Sequence, residues 1–447
     1  MLGSAVNSAI LQSTKIKDDS INKRVAVALS GGVDSLVAAF LLKKIYPDLF
    51  GIHFTTGYEL FSQDINRQNI AQVAEQLGIP VYCVDLKVQF EEAVVSYFTE
   101  TYQKGTTPNP CVICNQKIKF GALYQAAKNL GADFLATGHY ARLENRSSFS
   151  LNRDRALDRD FFSSNRDGDT LTVLLKGKDS LKEQSYFLAM LSSEQLQHAV
   201  FPLGDLTKQE VISIAAKNGL VPIHKKESQD ICFIRENSFA DFISSKCTPS
   251  CTLSKQTLVQ SDFLNSVDSF VSEIKIPFAE GDIVTTDNKV VGRHKGLYCY
   301  TIGQRRGLNC PGPAPYYVKK IDMENNRLII GFKEELFEKE CNIININWLS
   351  DRAAADILKS PLRAVTKIRY SHSGSDSTLT IESSINRHLQ ADNDHNFNRN
   401  CSIGEIAACS NGDYVKVIFD EPQLAVTPGQ CAVFYDGEQV LGAGFIA

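Results

Sequence analysis

The chain has 447 residues, of which 43% are hydrophobic and 22% are charged, and its formal net charge is −4. This length and composition are typical of a globular protein with two or three domains, and they exclude a chain that is disordered throughout or uniformly basic. No apolar run approaches the roughly 20 residues that a membrane span requires. Residues 1–23 contain neither arginine nor a long apolar run, so we expect a disordered tail on a cytoplasmic protein rather than a targeting peptide.

The first third of the chain alternates predicted strands with predicted helices. Short apolar runs predict strands over Arg24–Leu29, Phe50–Phe54, Val81–Leu86 and Phe134–Thr137. The intervening segments predict helices over Asp34–Tyr46, Ala71–Leu77, Phe90–Tyr102 and Ile118–Leu130. This alternation predicts an α/β domain, assigned to residues 24–205, with a doubly wound parallel sheet that binds its ligand at the carboxyl ends of its strands.

The pattern changes twice further along the chain. Residues 145–170 are polar and predict an inserted loop, after which helical patterns over Leu181–Leu191 and Lys208–Lys217 indicate a helix-rich middle region. Residues 206–280, which include a polar stretch at 246–271, are assigned to a central linker domain that carries Cys232. From residue 281 onward, short β runs predict a C-terminal β-barrel-like module or modules over 281–447, with a polar loop at 383–400. These β runs cover 283–285, 297–302, 316–321, 328–330 and 414–419.

The segment Ser30–Ser35, with the sequence SGGVDS, lies directly between the first predicted strand and the first predicted helix. Its two glycines allow the backbone to approach a bound oxyanion, and the N–H groups that open the helix point toward that anion. The lysine of a Walker loop is missing, so the segment does not indicate the usual γ-phosphate chemistry, and Asp34 is a candidate for holding Mg²⁺ through water. The pattern resembles the PP-loop of the ATP pyrophosphatase superfamily, whose members adenylate a substrate and release pyrophosphate.

Three cysteines have the sequence surroundings of reactive thiols. Cys111 and Cys114 follow two prolines, and a predicted helix begins near Cys114 with two lysines close by. A thiol at a helix N-terminus near positive charge is expected to have a lowered pKa and a larger thiolate fraction, as a sulfur nucleophile requires. Cys232 lies far along the chain and also follows a pair of lysines.

Further segments, in order from about Val25 to the C-terminus, resemble those of the tRNA-specific 2-thiouridylases of the MnmA type. The matching segments are TPNPCVICNQKIKF from Thr107, ATGHY from Ala136, EQSYF from Glu183, ICFI from Ile231, TIGQRRGL from Thr301, FDEP from Phe419 and TPGQ from Thr427. With the PP-loop, they imply an adenine nucleotide alpha hydrolase-like PP-loop domain and ATP-dependent 2-thiolation of the wobble uridine of tRNA, with release of AMP and pyrophosphate.

The resemblance also implies a role for each matching residue. Cys114 matches the catalytic nucleophile, and Cys232 matches the cysteine that carries a persulfide. The ATP site, which takes ATP with Mg²⁺, matches Ala28, Leu29, Ser30, Gly31, Gly32, Val33, Asp34, Ser35, Phe54 and Gly138. The implied tRNA contacts are Asn109, Pro110 and Cys111 beside the target base, together with His139, Lys182, Glu183, Gln184, Arg369, Tyr370 and Gln430. The implied partners are tRNA and a persulfide-relay protein that donates sulfur.

The implied chemistry begins with adenylation of the uracil C2 oxygen, which is otherwise a poor leaving group. The persulfide on Cys232 then supplies sulfur, and Cys114 resolves or releases it through a transient Cys114–Cys232 disulfide. The target base must leave the anticodon stack to reach this pocket.

Cys111 departs from the family pattern, because many members have an aspartate at this position. Acid–base chemistry, if the reaction needs any, would then fall to His139 or to a water. Cys111, Cys114 and Cys232 also raise the alternative of three thiolate ligands to an iron–sulfur cluster.

Two other functions remain open at this stage. One is a PP-loop ligase or amidotransferase that adenylates a small metabolite and needs no cysteines. The other is an RNA-binding or sulfur-carrier protein that binds ATP only as a regulator and forms neither AMP nor pyrophosphate.

Overall fold

The structure is a computed structural model, and it describes residues 23–59, 63–147, 170–223, 231–234, 239–247, 279–383 and 413–447. The predicted tail at 1–23 and the predicted polar segments at 145–170, 246–271 and 383–400 lie almost entirely outside the described residues. Among the described residues, no helix has both the length and the apolar character needed to cross a membrane.

Five parallel strands form the sheet that the alternating pattern predicts. The first seven strands of the chain are β1 (Val25–Ala28), β2 (Leu49–Thr55), β3 (Val81–Asp85), β4 (Phe134–Ala136), β5 (Ala141–Ser147), β6 (Thr170–Lys176) and β7 (Ala199–Val200). The parallel sheet has the order β3-β2-β1-β4-β7, so the chain reverses direction across the sheet between β1 and β4. In open sheets of this kind the ligand crevice lies at such a switch point, beyond the carboxyl ends of the two strands.

Helices cover both faces of the sheet, as predicted. The helices are α1 (Val33–Lys43), α2 (Gln63–Leu77), α3 (Lys87–Phe90, the π-helical Glu91–Val95, and Ser96–Gln103) and α4 (Pro110–Ile113, the π-helical Cys114–Leu123, and Tyr124–Asn129). Side chains alternate between the two faces along β1, because successive residues of a strand point in opposite directions. Val25 and Val27 therefore pack with α1 and α2, whereas Ala26 packs with α3 and α4.

The middle region contains four short helices within the described residues. They are α5 (Ser185–Leu188), α6 (Ser193–Gln197), α7 (Lys208–Lys217) and α8 (Phe239–Cys247). Thr207 begins α7 with a capping box, in which its side chain accepts from the Glu210 N–H and the Glu210 side chain accepts in return. The predicted helix over Leu181–Leu191 is mostly wrong, because only α5 is helical in that range. Immediately before α5, the Gln184 N–H donates to the Tyr140 carbonyl instead of to a carbonyl of the same helix.

A small sheet follows, with its own hydrophobic core. Its strands are β8 (Gly281–Thr285), β9 (Val290–His294), β10 (Tyr317–Asp322) and β11 (Arg327–Gly331), in the order β10-β11-β8-β9. The predicted strand at 297–302 is wrong. Leu297–Cys299 is a 3₁₀ turn, bracketed by Gly296 and Gly303 at φ values of 129° and 83° that no extended strand allows.

The C-terminal region is a closed barrel, which confirms the barrel-like module. Its strands are β12 (Phe337–Trp348), β13 (Leu362–Lys367), β14 (Ser375–Ser383), β15 (Asp413–Leu424), β16 (Cys431–Asp436) and β17 (Gln439–Ile446), and α9 (Asp351–Lys359) packs against them. All neighbours are antiparallel in the order β12-β15-β14-β13-β16-β17, and β12 pairs with β17 to close the ring. The β5–β6 hairpin joins this sheet through β17. The domain boundaries at 205 and 280 stay predictions.

Candidate active site

The phosphate loop joins β1 to α1 at the switch point of the sheet. Gly31 has a φ of +80°, a left-handed conformation that favours glycine. The Ser35 hydroxyl donates to the Gly32 carbonyl at 3.0 Å and accepts from the Ser30 N–H at 3.2 Å, and its oxygen lies 3.2 Å from the Ser30 hydroxyl. The first-turn N–H groups of α1, including those of Val33 and Asp34, have no partner inside a helix. The loop therefore fits a bound phosphate.

Gly138, two residues beyond the end of β4, lies against the start of α1. A Cβ on Gly138 would lie 2.9 Å from the Asp34 carbonyl carbon and 2.9 Å from the Ser35 nitrogen. These are backbone atoms, so a side chain at this position would displace the helix terminus. The close approach brings the ends of β1 and β4 together around one crevice.

The strand ends that flank the loop bring the other predicted ATP residues to the same edge. Ala28 ends β1, and the next carbonyl, that of Leu29, accepts from His53 Nδ1–H at 2.8 Å. Phe54 lies near the carboxyl end of β2, half-buried against the core on the α3 side. The crevice is therefore lined from both β1 and β2.

Asp34, the candidate magnesium residue, is already paired within the protein. Its two carboxylate oxygens accept from Lys208 Nζ at 2.7 and 2.8 Å, and the Tyr140 hydroxyl donates to one of them at 2.8 Å. A magnesium ion held through Asp34 would share the carboxylate with the Lys208 ammonium. The sequence contained no indication of a role for Lys208, because a single lysine in the first turn of a helix far along the chain looks like an ordinary surface residue.

Cys111 and Cys114 both lie on α4, which begins at Pro110 rather than near Cys114. Cys111 thus occupies the first turn and is exposed, and Cys114 opens the π-helical segment and is partly buried. Burial raises the pKa of Cys114 to about 12, although the positive charge of Lys119 lowers it in part. The predicted lowering of the Cys114 pKa is therefore wrong, because the helix starts one turn earlier and the sulfur is desolvated.

Cys232 lies on the short segment 231–234 and is exposed. Its neighbour Phe233 is buried at the centre of an aromatic cluster, with ring centroids 5.2 Å from Phe98, 5.4 Å from Phe242 and 5.7 Å from Phe90. Aromatic contacts of this kind, of which those with Phe98 and Phe90 are edge-to-face, stabilise a defined geometry. The backbone is therefore anchored through Phe233, next to the exposed residue Cys232.

Lys119 connects the three thiols electrostatically to His139. Its Nζ lies 3.5 Å from His139 Nε2, and the Thr137 hydroxyl lies 2.7 Å from His139 Nδ1. An ammonium group only donates, so Nε2 accepts and Nδ1–H donates to Thr137. Burial and the Lys119 charge hold the pKa of His139 well below 6.5, so the imidazole is neutral at pH 7. The Lys119 charge also lowers the pKa of Cys111, Cys114 and Cys232, against a larger desolvation that raises each one.

The iron–sulfur hypothesis gains no support from this arrangement. Within the described residues, no three His, Cys, Asp or Glu side chains are grouped so that they could hold a metal ion. We therefore derive no step of the reaction through a cluster.

Asn109, Pro110 and Gln430, predicted to contact tRNA, make contacts within the chain that position Cys111. The buried Asn109 side chain donates to the Tyr186 hydroxyl at 3.1 Å, and Pro110 is buried at the first helical position. Gln430 Nε2 donates to the Pro108 carbonyl at 2.9 Å. The turn that precedes β16 of the barrel therefore holds the loop that leads into α4.

The remaining predicted tRNA contacts form a second group around α5. Gln184 pairs with the Tyr140 backbone twice, donating its N–H at 2.9 Å and accepting through its side-chain oxygen at 3.0 Å. The Tyr370 ring lies 4.5 Å from that of Phe187, which brings residues 369–370 of the barrel against α5. Of the other predicted contacts, Lys182 is half-buried and Glu183 is buried, and both precede α5. The Glu183 carboxylate accepts from the Ser185 N–H, and Arg369 donates to the Leu424 carbonyl at 3.0 Å.

Comparison with known proteins identifies the family models and the relatives that this chain matches. Residues 23–236 match the family model of the tRNA methyl transferase HUP domain, residues 268–332 the tRNA methyl transferase PRC-barrel domain, and residues 401–446 the aminomethyltransferase beta-barrel domain. The chain is 40% identical over 428 residues to the tRNA-specific 2-thiouridylase MnmA of Desulfosudis oleivorans, covering 96% of each chain. It is 36% identical over 442 residues to that of Geobacter metallireducens, covering 96% of this chain and 98% of the relative.

Among solved structures, the U34-tRNA thiolase NcsA from Methanococcus maripaludis with its [4Fe-4S] cluster aligns with a TM-score of 0.32 and 21% identity, covering 54% of this chain and 70% of that one. This likeness is too remote to bear on the site. The identity to the two MnmA proteins extends over nearly the whole chain, from the PP-loop to the last strand of the barrel. The chain therefore belongs to the family of tRNA-specific 2-thiouridylases of the MnmA type.

Proposed function

We propose that this protein 2-thiolates the wobble uridine of tRNA, using ATP to activate the base and a persulfide on Cys232 to supply sulfur. Family membership supports tRNA thiolation by a PP-loop enzyme. The glycine-lined crevice at the start of α1 fits the phosphates of ATP. The three thiols supply the sulfur chemistry that an enzyme merely adenylating a small metabolite would not need.

The observation that carries the proposal is the segment 137–140, which touches both halves of the required chemistry. Gly138 lies against the phosphate loop, with its Cβ position 2.9 Å from the Ser35 nitrogen. The next residue, His139, contacts Lys119, whose charge acts on all three thiols. A base adenylated in the crevice would therefore lie beside a sulfur donor.

The reaction proceeds in three steps. First, the uracil C2 oxygen attacks the α-phosphorus of ATP, pyrophosphate leaves, and N3 gives up its proton. Second, the terminal sulfur of the Cys232 persulfide attacks C2, and AMP leaves with the former C2 oxygen. Third, the Cys114 thiolate attacks Cys232 Sγ, and the broken S–S bond leaves its electron pair on the transferred sulfur. N3 regains a proton, the transferred sulfur is reduced by two electrons, and the two cysteines become a disulfide.

The protein contributes positioning and charge rather than a strong base. The first-turn N–H groups of α1 hold the negative phosphates, as helix N-termini do. Lys119 stabilises whichever thiolate forms, and neutral His139 keeps the Lys119 ammonium in place by accepting from it. The exposed position of Cys232 suits loading by a persulfide-relay protein. Chemistry that depends on free thiols also supports the proposal that the enzyme works in the reducing cytoplasm.

The test is nucleoside mass spectrometry of unmodified tRNA incubated with the protein, ATP, Mg²⁺ and a low-molecular-weight persulfide as the sulfur donor. We expect a new 2-thiouridine signal together with AMP and pyrophosphate. Cys232→Ala and Cys114→Ala should each abolish the signal, whereas Cys310→Ala, which removes a thiol from the connection between β9 and β10, should retain it.

Each alternative outcome identifies a different function. Cleavage of ATP to AMP without a thiolated nucleoside, unaffected by the cysteine variants, would indicate a ligase for a small metabolite. Binding of tRNA or persulfide without AMP formation would indicate a carrier that ATP only regulates.

A further inference from the structure

Cys111 and Cys114 form a pair on one side of α4. They are three residues apart in the helix, and side chains at this spacing lie next to each other. Cys-x-x-Cys thiols at the start of a helix are the usual arrangement of redox-active pairs, and helical i, i+3 Cα spacing falls within the range that a disulfide spans. Cys111 is also the more exposed of the two.

Cys232 lies close to this pair. Ile231, Phe233 and Ile234 pack into the same hydrophobic core as Val112 of α4 and as Cys114 itself. Ionisation of Cys111 raises the pKa of both Cys114 and Cys232, and ionisation of Cys232 raises that of Cys114. The segment that carries Cys232 therefore borders the same core that α4 helps to form.

From this arrangement we propose that Cys111 clears the disulfide that forms between Cys114 and Cys232 after each sulfur transfer. Clearing it returns Cys232 to the thiol state, ready for the next persulfide. The inference rests on the proposed function, because sulfur transfer is the step that produces the disulfide.

The step is a thiol–disulfide exchange in which electrons balance. Cys111 loses its proton to water, and its thiolate attacks Cys114 Sγ. The Cys114–Cys232 bond breaks, Cys232 leaves as a thiolate and takes up a proton, and a Cys111–Cys114 disulfide forms. A dithiol reductant of the thioredoxin or dithiothreitol class then reduces that disulfide and is itself oxidised. Lys119 stabilises the attacking and the leaving thiolate alike, because its charge reaches both.

This disulfide exchange is compatible with the finding that the described residues contain no metal-binding group. A cluster needs three thiolates around one centre at the same time, whereas exchange brings together only the sulfurs that react. The exposed Cys111 is also the thiol of the helix pair that a large reductant reaches, since Cys114 is partly buried.

The test maps disulfides after one round of turnover. Full-length protein, loaded with persulfide, reacts once with tRNA and ATP without reductant, is quenched in acid, alkylated and digested with trypsin. Cys111 and Cys114 both fall in peptide 105–117, and Cys232 falls in peptide 227–235. An exchanged disulfide therefore removes two hydrogens from peptide 105–117, whereas the original disulfide cross-links the two peptides.

We expect the internal disulfide in the parent protein and the cross-link in Cys111→Ser, with the cross-linked fraction rising at least about fivefold. Cys111→Ala should match Cys111→Ser, and melting curves of both variants check that the fold is retained. Cys83→Ser, which removes an exposed thiol from β3, should match the parent.

Equal cross-linked fractions in the parent and in both Cys111 variants would overturn the inference. Thiolation without either disulfide would also overturn it, because there would be nothing to exchange. Failure of the parent to thiolate tRNA at all would instead count against the proposed function.

Discussion

Replacing Gly138 with alanine tests whether the contact between the end of β4 and the start of α1 shapes the ATP site. The added methyl group would lie 2.9 Å from two backbone atoms, the Asp34 carbonyl carbon and the Ser35 nitrogen. Ordinary contact begins near 3.4 Å, so the two segments must separate by about half an ångström. Neither atom belongs to a flexible side chain, so the first turn of α1 itself must move.

That movement is expected to lower both the stability of the fold and the affinity for ATP. Overpacking of this kind destabilises a protein by about 1–3 kcal/mol. The displaced N–H groups are those that face the phosphates, so we expect ATP affinity to fall at least about tenfold, or about 1.4 kcal/mol. Calorimetric titration with ATP gives the affinity, and thermal unfolding gives the stability.

Gly292→Ala is the matched control. A Cβ at this position also lies 2.9 Å from its nearest atom, but that atom is the Cys310 sulfur, which can rotate away. We expect a smaller loss of stability and no change in ATP affinity. Parent-like ATP affinity in a folded Gly138→Ala protein would refute the reasoning.

Four further predictions concern Gln430, Phe233, Cys114 and Lys119. Gln430→Ala removes the hydrogen bond to the Pro108 carbonyl, which is worth about 1 kcal/mol. We expect a several-fold lower single-turnover thiolation rate and an unchanged dissociation constant for tRNA. A raised dissociation constant would instead show that Gln430 contacts tRNA directly. Phe233→Ala should destabilise the protein by about 3–5 kcal/mol in chemical unfolding, whereas Phe337→Ala, at 45% exposure, should have little effect. Because the Cys114 pKa is raised to about 12, its thiolate fraction grows about tenfold per pH unit from pH 7 to 9, and the single-turnover rate should rise with it. Lys119→Met should slow that rate throughout the range, because the charge that lowers the Cys114 pKa is lost, and a flat pH profile in the parent would contradict this mechanism.

The parallel sheet was predictable because its signals are local. The valine-rich run at Val25–Ala28, the turn with two glycines and the apolar helix that follows lie within about twenty residues of one another. The barrel strands were harder to see. β16 is buried on both faces through Cys431–Tyr435, so it lacks the alternation of apolar and polar residues that marks a half-buried strand. The partners of β17, which include β6 of the N-terminal region, lie far away in sequence.

Some site residues were likewise predictable from local sequence, whereas others depend on contacts between distant segments. Ser30–Ser35 forms a phosphate loop because glycine conformation and helix polarity act over neighbouring residues. The pairing of Asp34 with Lys208 and the contact of Gln430 with Pro108 join segments more than 170 residues apart, and no local pattern specifies them.

The sequence by itself determined which thiols and glycines are present, the fold class of the N-terminal domain, and the family. Tertiary structure alone decided the protonation behaviour of those groups and which of them meet. Burial, which depends on the surrounding fold, raises the pKa of Cys114 against what its sequence neighbours suggest, and it lowers the pKa of His139. Desolvation is a property of everything packed around a group, and it therefore appears only once the chain has folded.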